Sequence, residues 1–281
     1  MGDPVSVVVA AKDSLGRLQG LVSDFREVCR EGLELIVIDG ASRDGTAEWL
    51  EAAAPGGDVG RLKWESSPDT GIPDAWNRGV KRSSGDWVLF VGADDRLASA
   101  TIWAEVVGML RSLPDECGVA AFPVSIVSPA AVLLAVESPR VSDGGPNLVA
   151  VNGIPHQGAF HRRRLWDAYG PFDTSFAVAA DYEFLLRLRY AGVEIRCFAR
   201  PIPVAMTFGG RSKQDPLGNL LEFHRAQRKY GFRWPQARWC RDWWFAASRH
   251  LAARLFGEKT LHRWADRARR IRGLPPVWEV S

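Results

Sequence analysis

The sequence predicts an α/β fold, with a mixed, mostly parallel sheet flanked by helices and a helical extension at the C-terminus. Over residues 1–223, short apolar runs alternate with segments of helical periodicity, the pattern of βαβ units. Polar residues cluster where the predicted strands end. Residues 224–281 differ in composition, so we expect two domains, 1–223 and 224–281.

The elements of the first domain follow one another from the N-terminus. The first predicted strand, residues 5–10, precedes a helix in which apolar residues recur at helical spacing from Leu15 to Cys29. Further strands are predicted at 35–39, 62–65, 87–91, 119–124 and 131–136, and extended structure at 156–161. Further helices are predicted up to residue 50 and at 74–82, 101–113, 163–169 and 181–191. Residues 138–155, rich in Gly, Pro, Ser and Asn, predict a loop over the site.

Several classes of protein are disfavoured by composition. The four cysteines are far apart and form no CxxC pair, which indicates neither a zinc site nor a disulfide framework. The N-terminus lacks the features of a secretion signal, and the longest apolar run, 129–136, is too short to cross a membrane. We expect a cytoplasmic protein.

Carboxylates mark the edge of the predicted sheet where a ligand would bind. Asp13, Asp39, Asp69, Asp94 and Asp95 all lie at or just after strand ends. In open α/β sheets, ligands bind beyond the carboxyl ends of the strands. Adjacent aspartates on a tight turn offer hard oxygen ligands suited to Mg²⁺ or Mn²⁺, which could hold a diphosphate. A simple turn or helix cap is the alternative for each residue.

Four ordered motifs resemble the family 2 glycosyltransferases of GT-A fold, most closely the branch that builds bacterial surface polysaccharides. They are residues 36–46 (IVIDGASRDGT), 67–79 (SPDTGIPDAWNRG), 85–95 (GDWVLFVGADD) and 179–187 (AADYEFLLR). The resemblance implies transfer of a hexosyl or N-acetylhexosaminyl group from a nucleoside-diphosphate sugar, with UDP favoured. It also implies a divalent cation and inversion at the anomeric carbon.

The resemblance assigns roles to individual residues. Asp39 would accept a hydrogen bond from the base, Asp94 would contact the ribose, and Asp95 would hold the metal. Asp69, Asn77 and Arg78 would close over the nucleotide, with Arg78 a contact to phosphate.

The resemblance also places catalysis and acceptor binding in the second half of the first domain. Asp181, which opens a helix, would be the catalytic base. Many relatives have Glu-Asp where this chain has Ala180-Asp181. His156 would bind the acceptor, although a buried histidine satisfied by the backbone is an equal alternative. His161 and the arginines at 162–164 predict a solvated face.

The C-terminal segment is basic and rich in tryptophan. Residues 1–223 hold 22 basic and 29 acidic residues, whereas residues 224–273 hold 14 basic and 3 acidic ones. Six of the twelve tryptophans lie beyond residue 223: Trp234, Trp239, Trp243, Trp244, Trp264 and Trp278. This pattern indicates attachment to an anionic membrane surface, near a glycan or lipid-linked acceptor. Packing of the aromatic residues on the first domain is the alternative, and nucleic acid is not expected.

Two other functions remain open from the sequence. A sugar nucleotidyltransferase would share the sheet but needs a Gly-rich, basic loop after the first strand, and residues 10–16 are a poor match. A membrane-surface scaffold that has lost activity would keep the fold without the chemistry. A dehydrogenase is disfavoured, because no GxGxxG follows a strand.

Overall fold

A central eight-stranded sheet organises the first part of the chain. The computed structural model describes residues 4–54, 58–59, 61–140, 153–208, 216–231, 237–274 and 276–277. Its strands are β1 (Val5–Ala11), β2 (Leu33–Asp39), β3 (Asp58–Val59), β4 (Leu62–Ser66), β5 (Trp87–Gly92), β7 (Cys117–Ala121), β10 (Ala159–Arg162) and β11 (Glu194–Cys197). Their order across the sheet is β11-β7-β10-β5-β1-β2-β4-β3.

The sheet is mixed, as predicted. Strands β5, β1, β2 and β4 run parallel, β11 is parallel to β7, and β10 runs antiparallel between β5 and β7. The apolar side chains of β1 alternate between the two faces of the sheet, because successive residues of a strand point in opposite directions. Val7 and Val9 join one core cluster, and Val8 joins the other.

Helices cover both faces of this sheet. The described helices are α1 (Leu15–Val28), α2 (Thr46–Ala53), α3 (Ile72–Arg82), α4 (Ala100–Ser112), α5 (Leu165–Tyr169), α6 (Ala180–Tyr190), α7 (Pro216–Lys229), α8 (Ala237–Phe256) and α9 (Glu258–Ile271). Apolar residues of α1 and α4 fill one core, and those of α3, α5 and α6 fill the other. Helix α3 approaches β1 so closely that a Cβ on Gly79 would overlap Val8 Cγ1.

A second sheet of four strands lies beside the first, in the order β6-β12-β8-β9. Its strands are β6 (Arg96–Leu97), β8 (Val124–Val127), β9 (Leu133–Glu137) and β12 (Val204–Thr207). Strand β12 is parallel to β8 and antiparallel to β6. Strands β3, β6, β11 and β12, which contain two to four residues each, were not predicted. The single strand predicted at 119–124 is divided between β7 and β8, which belong to different sheets.

The predicted loop at 138–155 lies largely outside the described residues, which omit 141–152. Its two ends are held together, since the Arg140 backbone N–H donates to the carbonyl of Gly153 at 2.7 Å.

The predicted domain boundary at 223/224 falls inside helix α7. Residues on both sides of that boundary contact α6 or the segment before it: Glu222 accepts from three backbone N–H groups there, and Lys229 pairs with Asp173. Gln227 also donates to the hydroxyl of Tyr182 at 3.1 Å. Helix α7 is therefore packed as part of the first domain.

Candidate active site

The parallel strands bring several of the predicted residues to one edge of the sheet. Ala11 at the end of β1 pairs in register with Asp39 at the end of β2, and Asp39 pairs with Ser66 at the end of β4. Ala10 pairs with Gly92 at the end of β5. The turn that carries Asp94 and Asp95 follows Gly92 directly, so these two aspartates share this edge with Asp39.

Asp39 is fully buried at the end of β2. Its carboxylate accepts hydrogen bonds from the Ser42 backbone N–H at 3.1 Å, from the Ser42 hydroxyl and from the Ser66 hydroxyl at 2.6 Å. These contacts join the end of β2 to the end of β4. Contacts within the protein therefore fix the position of the carboxylate that, by the resemblance, would accept a hydrogen bond from the nucleotide base.

Asp69 lies directly against the end of β2. A Cβ on Gly40 would stand 2.5 Å from Asp69 Oδ2, so only glycine gives the carboxylate this position. Its other oxygen accepts from the Gly71 backbone N–H at 3.1 Å. The structure thus brings Asp39 and Asp69 together across the two loops.

Asn77 and Arg78, on α3, make their contacts within the protein. The Asn77 amide donates to the carbonyl of Phe172 at 3.0 Å and accepts from its backbone N–H at 2.9 Å. Arg78 pairs with Glu65 at 2.5 Å and donates to the Ser67 hydroxyl. Both side chains therefore hold neighbouring segments of the chain in place.

Asp94 and Asp95 differ in exposure. Asp95 is buried, and its two oxygens accept backbone N–H groups, from Gly92 at 2.7 Å and from Thr207 of β12 at 3.3 Å. Burial, with the charge of Asp94 as a smaller contribution, raises the pKa of Asp95 to about 7 despite those two bonds. The Asp94 side chain is 27% exposed, and one of its oxygens lies 4.0 Å from the Arg17 guanidinium.

This pair fits a divalent cation in the presence of a diphosphate. Among the residues described, no three His, Cys, Asp or Glu side chains form a group that could hold a metal ion alone. Magnesium and manganese need few protein carboxylates, because phosphate oxygens and water complete their octahedral shell. A cation would also offset the repulsion between the two adjacent carboxylates.

Asp181 lies at the start of α6 and faces His156. One carboxylate oxygen accepts the Tyr182 backbone N–H at 2.7 Å, and the other lies 4.0 Å from His156 Nδ1. Burial raises the pKa of Asp181 to about 6, although 15% of the side chain is exposed. Burial, assisted by His161, lowers the pKa of His156 well below its usual value. The imidazole is therefore neutral at pH 7.

Aromatic side chains pack against His156. Its ring stacks on Phe90 of β5 with a centroid distance of 5.1 Å, and Trp76 of α3 lies 4.7 Å away. Neither ring nitrogen of His156 has a hydrogen-bond partner among the described residues. Phe90 lies on β5, two residues before Gly92. These ring contacts therefore link the surroundings of Asp181 to the strand that leads to Asp94.

Two expectations for this region were wrong. His161 is fully buried rather than solvated. Arg162, whose side chain is only 13% exposed, lies over the Trp87 ring and donates to the carbonyls of Leu113 and Cys117. Both residues belong to β10, whose position between two strands removes them from solvent.

Two residues of the site were missed by the sequence analysis. Glu222 of α7 accepts hydrogen bonds from the backbone N–H groups of residues 177–179, at 2.8 to 3.0 Å, just before Asp181. Burial acts to raise the pKa of Glu222, but the hydrogen bonds from these three N–H groups lower it by more. The net pKa of Glu222 is therefore below its usual value. Thr207 donates its hydroxyl to the Asp94 carbonyl at 2.6 Å. No local pattern marks either residue, because both contacts depend on the tertiary fold.

Comparisons with known proteins agree with this architecture. Residues 6–125 match the model of the glycosyl transferase family 2. An uncharacterized glycosyltransferase of Mycobacterium tuberculosis, Rv1514c, is 30% identical over 231 residues, covering 81% of this chain and 86% of the relative. A PGL/p-HBAD biosynthesis glycosyltransferase of Mycobacterium bovis BCG is 32% identical over 186 residues, covering 64% of each chain.

Solved structures share the fold. S. aureus TarS in complex with UDP-GlcNAc superposes with a TM-score of 0.63 at 16% identity, covering 90% of this chain and 73% of TarS. The mannosyltransferase PcManGT of Pyrobaculum calidifontis, in complex with GDP-Man and Mn²⁺, gives 0.58 at 16% identity, covering 92% and 77%. The chain belongs to the family 2 glycosyltransferases and has their GT-A fold.

Proposed function

We propose that the protein transfers a sugar from a nucleoside-diphosphate sugar to an acceptor hydroxyl, with inversion at the anomeric carbon. One observation carries this proposal: a mostly buried carboxyl group, Asp181, has a pKa raised to about 6 beside a neutral imidazole. A general base works best when its pKa is close to the operating pH. Around neutral pH, Asp181 is ionised and can still accept a proton.

The residues divide the reaction between donor and acceptor. Asp39 contacts the base and Asp94 the ribose. Asp69 and Asn77 close over the nucleotide, with Arg78 a contact to phosphate. Asp95 would hold Mn²⁺ or Mg²⁺, and the cation would supply positive charge that neutralises the leaving diphosphate. His156 binds the acceptor next to Asp181.

The reaction is a single displacement. Asp181 takes the proton of the acceptor hydroxyl as its oxygen forms a bond to the anomeric carbon. The bond from that carbon to the diphosphate oxygen breaks at the same time, and the nucleoside diphosphate leaves. Attack opposite the leaving group inverts the anomeric configuration.

The donor that we favour is a UDP-sugar carrying a hexosyl or N-acetylhexosaminyl group. S. aureus TarS has the same fold and has been solved with UDP-GlcNAc and with UDP. PcManGT has been solved with GDP-Man and Mn²⁺, so GDP is the nucleotide to compare.

The acceptor that we propose is a glycan or a lipid-linked glycan of the bacterial surface. A relative is named for the biosynthesis of PGL/p-HBAD. We place the enzyme in the cytoplasm, at the inner face of the plasma membrane. None of the helices that the structure describes combines the length and the hydropathy required of a membrane span.

Transfer assays separate this function from the alternatives. Wild-type protein should release nucleoside diphosphate from UDP-GlcNAc, UDP-glucose or GDP-mannose when Mn²⁺ and a membrane extract as acceptor are present. Release by Asp181→Asn should be about 10² to 10⁴ times slower. A scaffold without activity would release none from any donor, even with membrane extracts as acceptor. A sugar nucleotidyltransferase would instead release pyrophosphate from a nucleoside triphosphate and a sugar phosphate.

A further inference from the structure

Helix α8 carries a row of large apolar side chains that the described part of the chain leaves exposed. Trp244, Leu251 and Leu255 recur at intervals of seven and four residues, so they share one side of the helix. Between 59% and 69% of each residue is exposed. Ala246, on the opposite side, is buried. The helix therefore packs on the protein through a small residue and presents its large ones outward.

Helix α9 continues this surface. Trp264 and Ile271 lie seven residues apart on one side, with 54% and 81% of each exposed, while Asp266 faces inward and is fully buried. The Phe256 ring lies 5.5 Å from that of Trp264 and joins the two helices. We refer to these exposed residues as the tail face: Trp244, Leu251, Leu255, Trp264 and Ile271.

The tail face is bordered by positive charge. Arg254 of α8 and Arg263 and Arg267 of α9 flank the tail-face residues on their helices, and all three are exposed. Arg249 and Lys259 are also exposed but lie on other sides of these helices. Among the side chains of α8 and α9 that the structure describes, Glu258 is the exposed carboxylate. Trp234 and Trp278, which also entered the prediction for this segment, lie outside the described residues. Packing of the tail aromatics on the first domain does not hold for Trp244 and Trp264.

We propose that the tail face binds the surface of a membrane containing anionic lipid, with α8 and α9 lying in the plane of the interface. Tryptophan and leucine insert at the boundary between headgroups and acyl chains, and the arginines at the rim contact anionic headgroups. A second copy of the chain is a poorer partner, because joining two tail faces would bring two sets of positive charges together. This inference rests on the proposed function in one respect: membrane binding would bring the enzyme to its lipid-linked acceptor.

Vesicle co-sedimentation tests the surface directly. Wild-type protein should bind vesicles of phosphatidylglycerol and phosphatidylcholine, and should bind vesicles of phosphatidylcholine alone at least tenfold more weakly. Trp244→Ser combined with Leu251→Ser should weaken binding to the anionic vesicles at least tenfold. The matched control is Leu221→Ser on α7, a leucine that is 57% exposed but outside the tail face, and it should bind as wild type does.

The charged rim has its own pair of variants. Arg263→Gln combined with Arg267→Gln should lower the affinity for anionic vesicles several-fold and weaken its dependence on salt. Lys81→Gln on α3, an exposed cation away from the tail, should change neither. If the first double variant unfolds, Trp264→Ser with Ile271→Ser tests the same face.

The inference would be overturned if the tail-face variants bound vesicles as well as wild type does, or if wild type bound both kinds of vesicle equally. It would also be overturned if wild type bound no vesicles and instead formed a dimer in sedimentation that the tail-face variants dissociate. UDP binding, measured by calorimetry without lipid, separates this inference from the proposed function. A tail-face variant should keep UDP binding whether or not it binds vesicles.

Discussion

Replacing Asp181 with asparagine should make the protein more stable while it removes transfer. Burial raises the pKa of this carboxyl group from 3.8 to about 6. Each pKa unit corresponds to about 1.4 kcal/mol, so the ionised group lowers the free energy of unfolding by about 3 kcal/mol at pH 8. Asparagine does not ionise, and its side-chain oxygen can still accept the Tyr182 N–H.

The gain should depend on pH in a defined direction. Because the pKa is higher in the folded state, the wild-type group contributes its full stability below pH 3.8 and loses that contribution as the pH rises through about 6. Asp181→Asn should therefore exceed wild type by up to about 3 kcal/mol at pH 8 and by less than about 1 kcal/mol at pH 4. Urea unfolding followed by circular dichroism measures both values.

Asp173→Asn is the matched control. Burial raises the pKa of Asp173, but the hydrogen bonds from Lys229 and Ser175 outweigh it and hold the pKa at about 2. The stability it contributes is present above pH 3.8 and is lost as the pH falls through about 2, so this variant should be less stable than wild type at pH 8. A loss of stability for Asp181→Asn at pH 8, or an equal change at both pH values, would refute the desolvation argument.

Three further predictions follow from contacts in the structure. Glu222→Ala should lower kcat about tenfold to a hundredfold with UDP affinity unchanged, Glu222→Gln should recover part of the loss, and Asp173→Asn should change kcat little; initial rates and calorimetry decide. Gly79→Ala should cost about 1 to 3 kcal/mol of stability in urea, because its Cβ would overlap Val8. Truncation after residue 231 should leave a protein that unfolds cooperatively, whereas truncation after residue 223 should not, since it removes the contacts of Gln227 and Lys229; thermal unfolding compares them.

The sequence predicts the fold well where the pattern is local. The alternation of Val7, Val8 and Val9 between two cores follows from strand geometry, and the four parallel strands at the centre were all predicted. The short strands β6 and β12 could not be predicted, because they form only by pairing with distant segments. The boundary inside α7 was placed from composition, whereas the packing of that helix depends on Glu222 and Lys229.

The candidate site is predictable in its residue types but not in its contacts. Asp39, Asp94 and Asp95 could be found because polar residues follow strand ends. The sequence does not predict the hydrogen bonds of Asn77 to the backbone of Phe172 or the ion pair of Arg78 with Glu65, because both contacts join separate segments. The same holds for the 4.0 Å approach of His156 to Asp181.

The nucleotide-sugar site that we propose depends on a metal held by Asp95. Calorimetric titration of UDP into wild-type protein and Asp95→Ala, each with and without Mn²⁺, tests it most directly, with GDP and dTDP for comparison. We expect UDP to bind wild type in the presence of Mn²⁺ and to bind at least tenfold more weakly without the metal or in the variant. Failure of all three nucleotides to bind wild type in the presence of Mn²⁺ would contradict the claim, and so would equal binding by the variant.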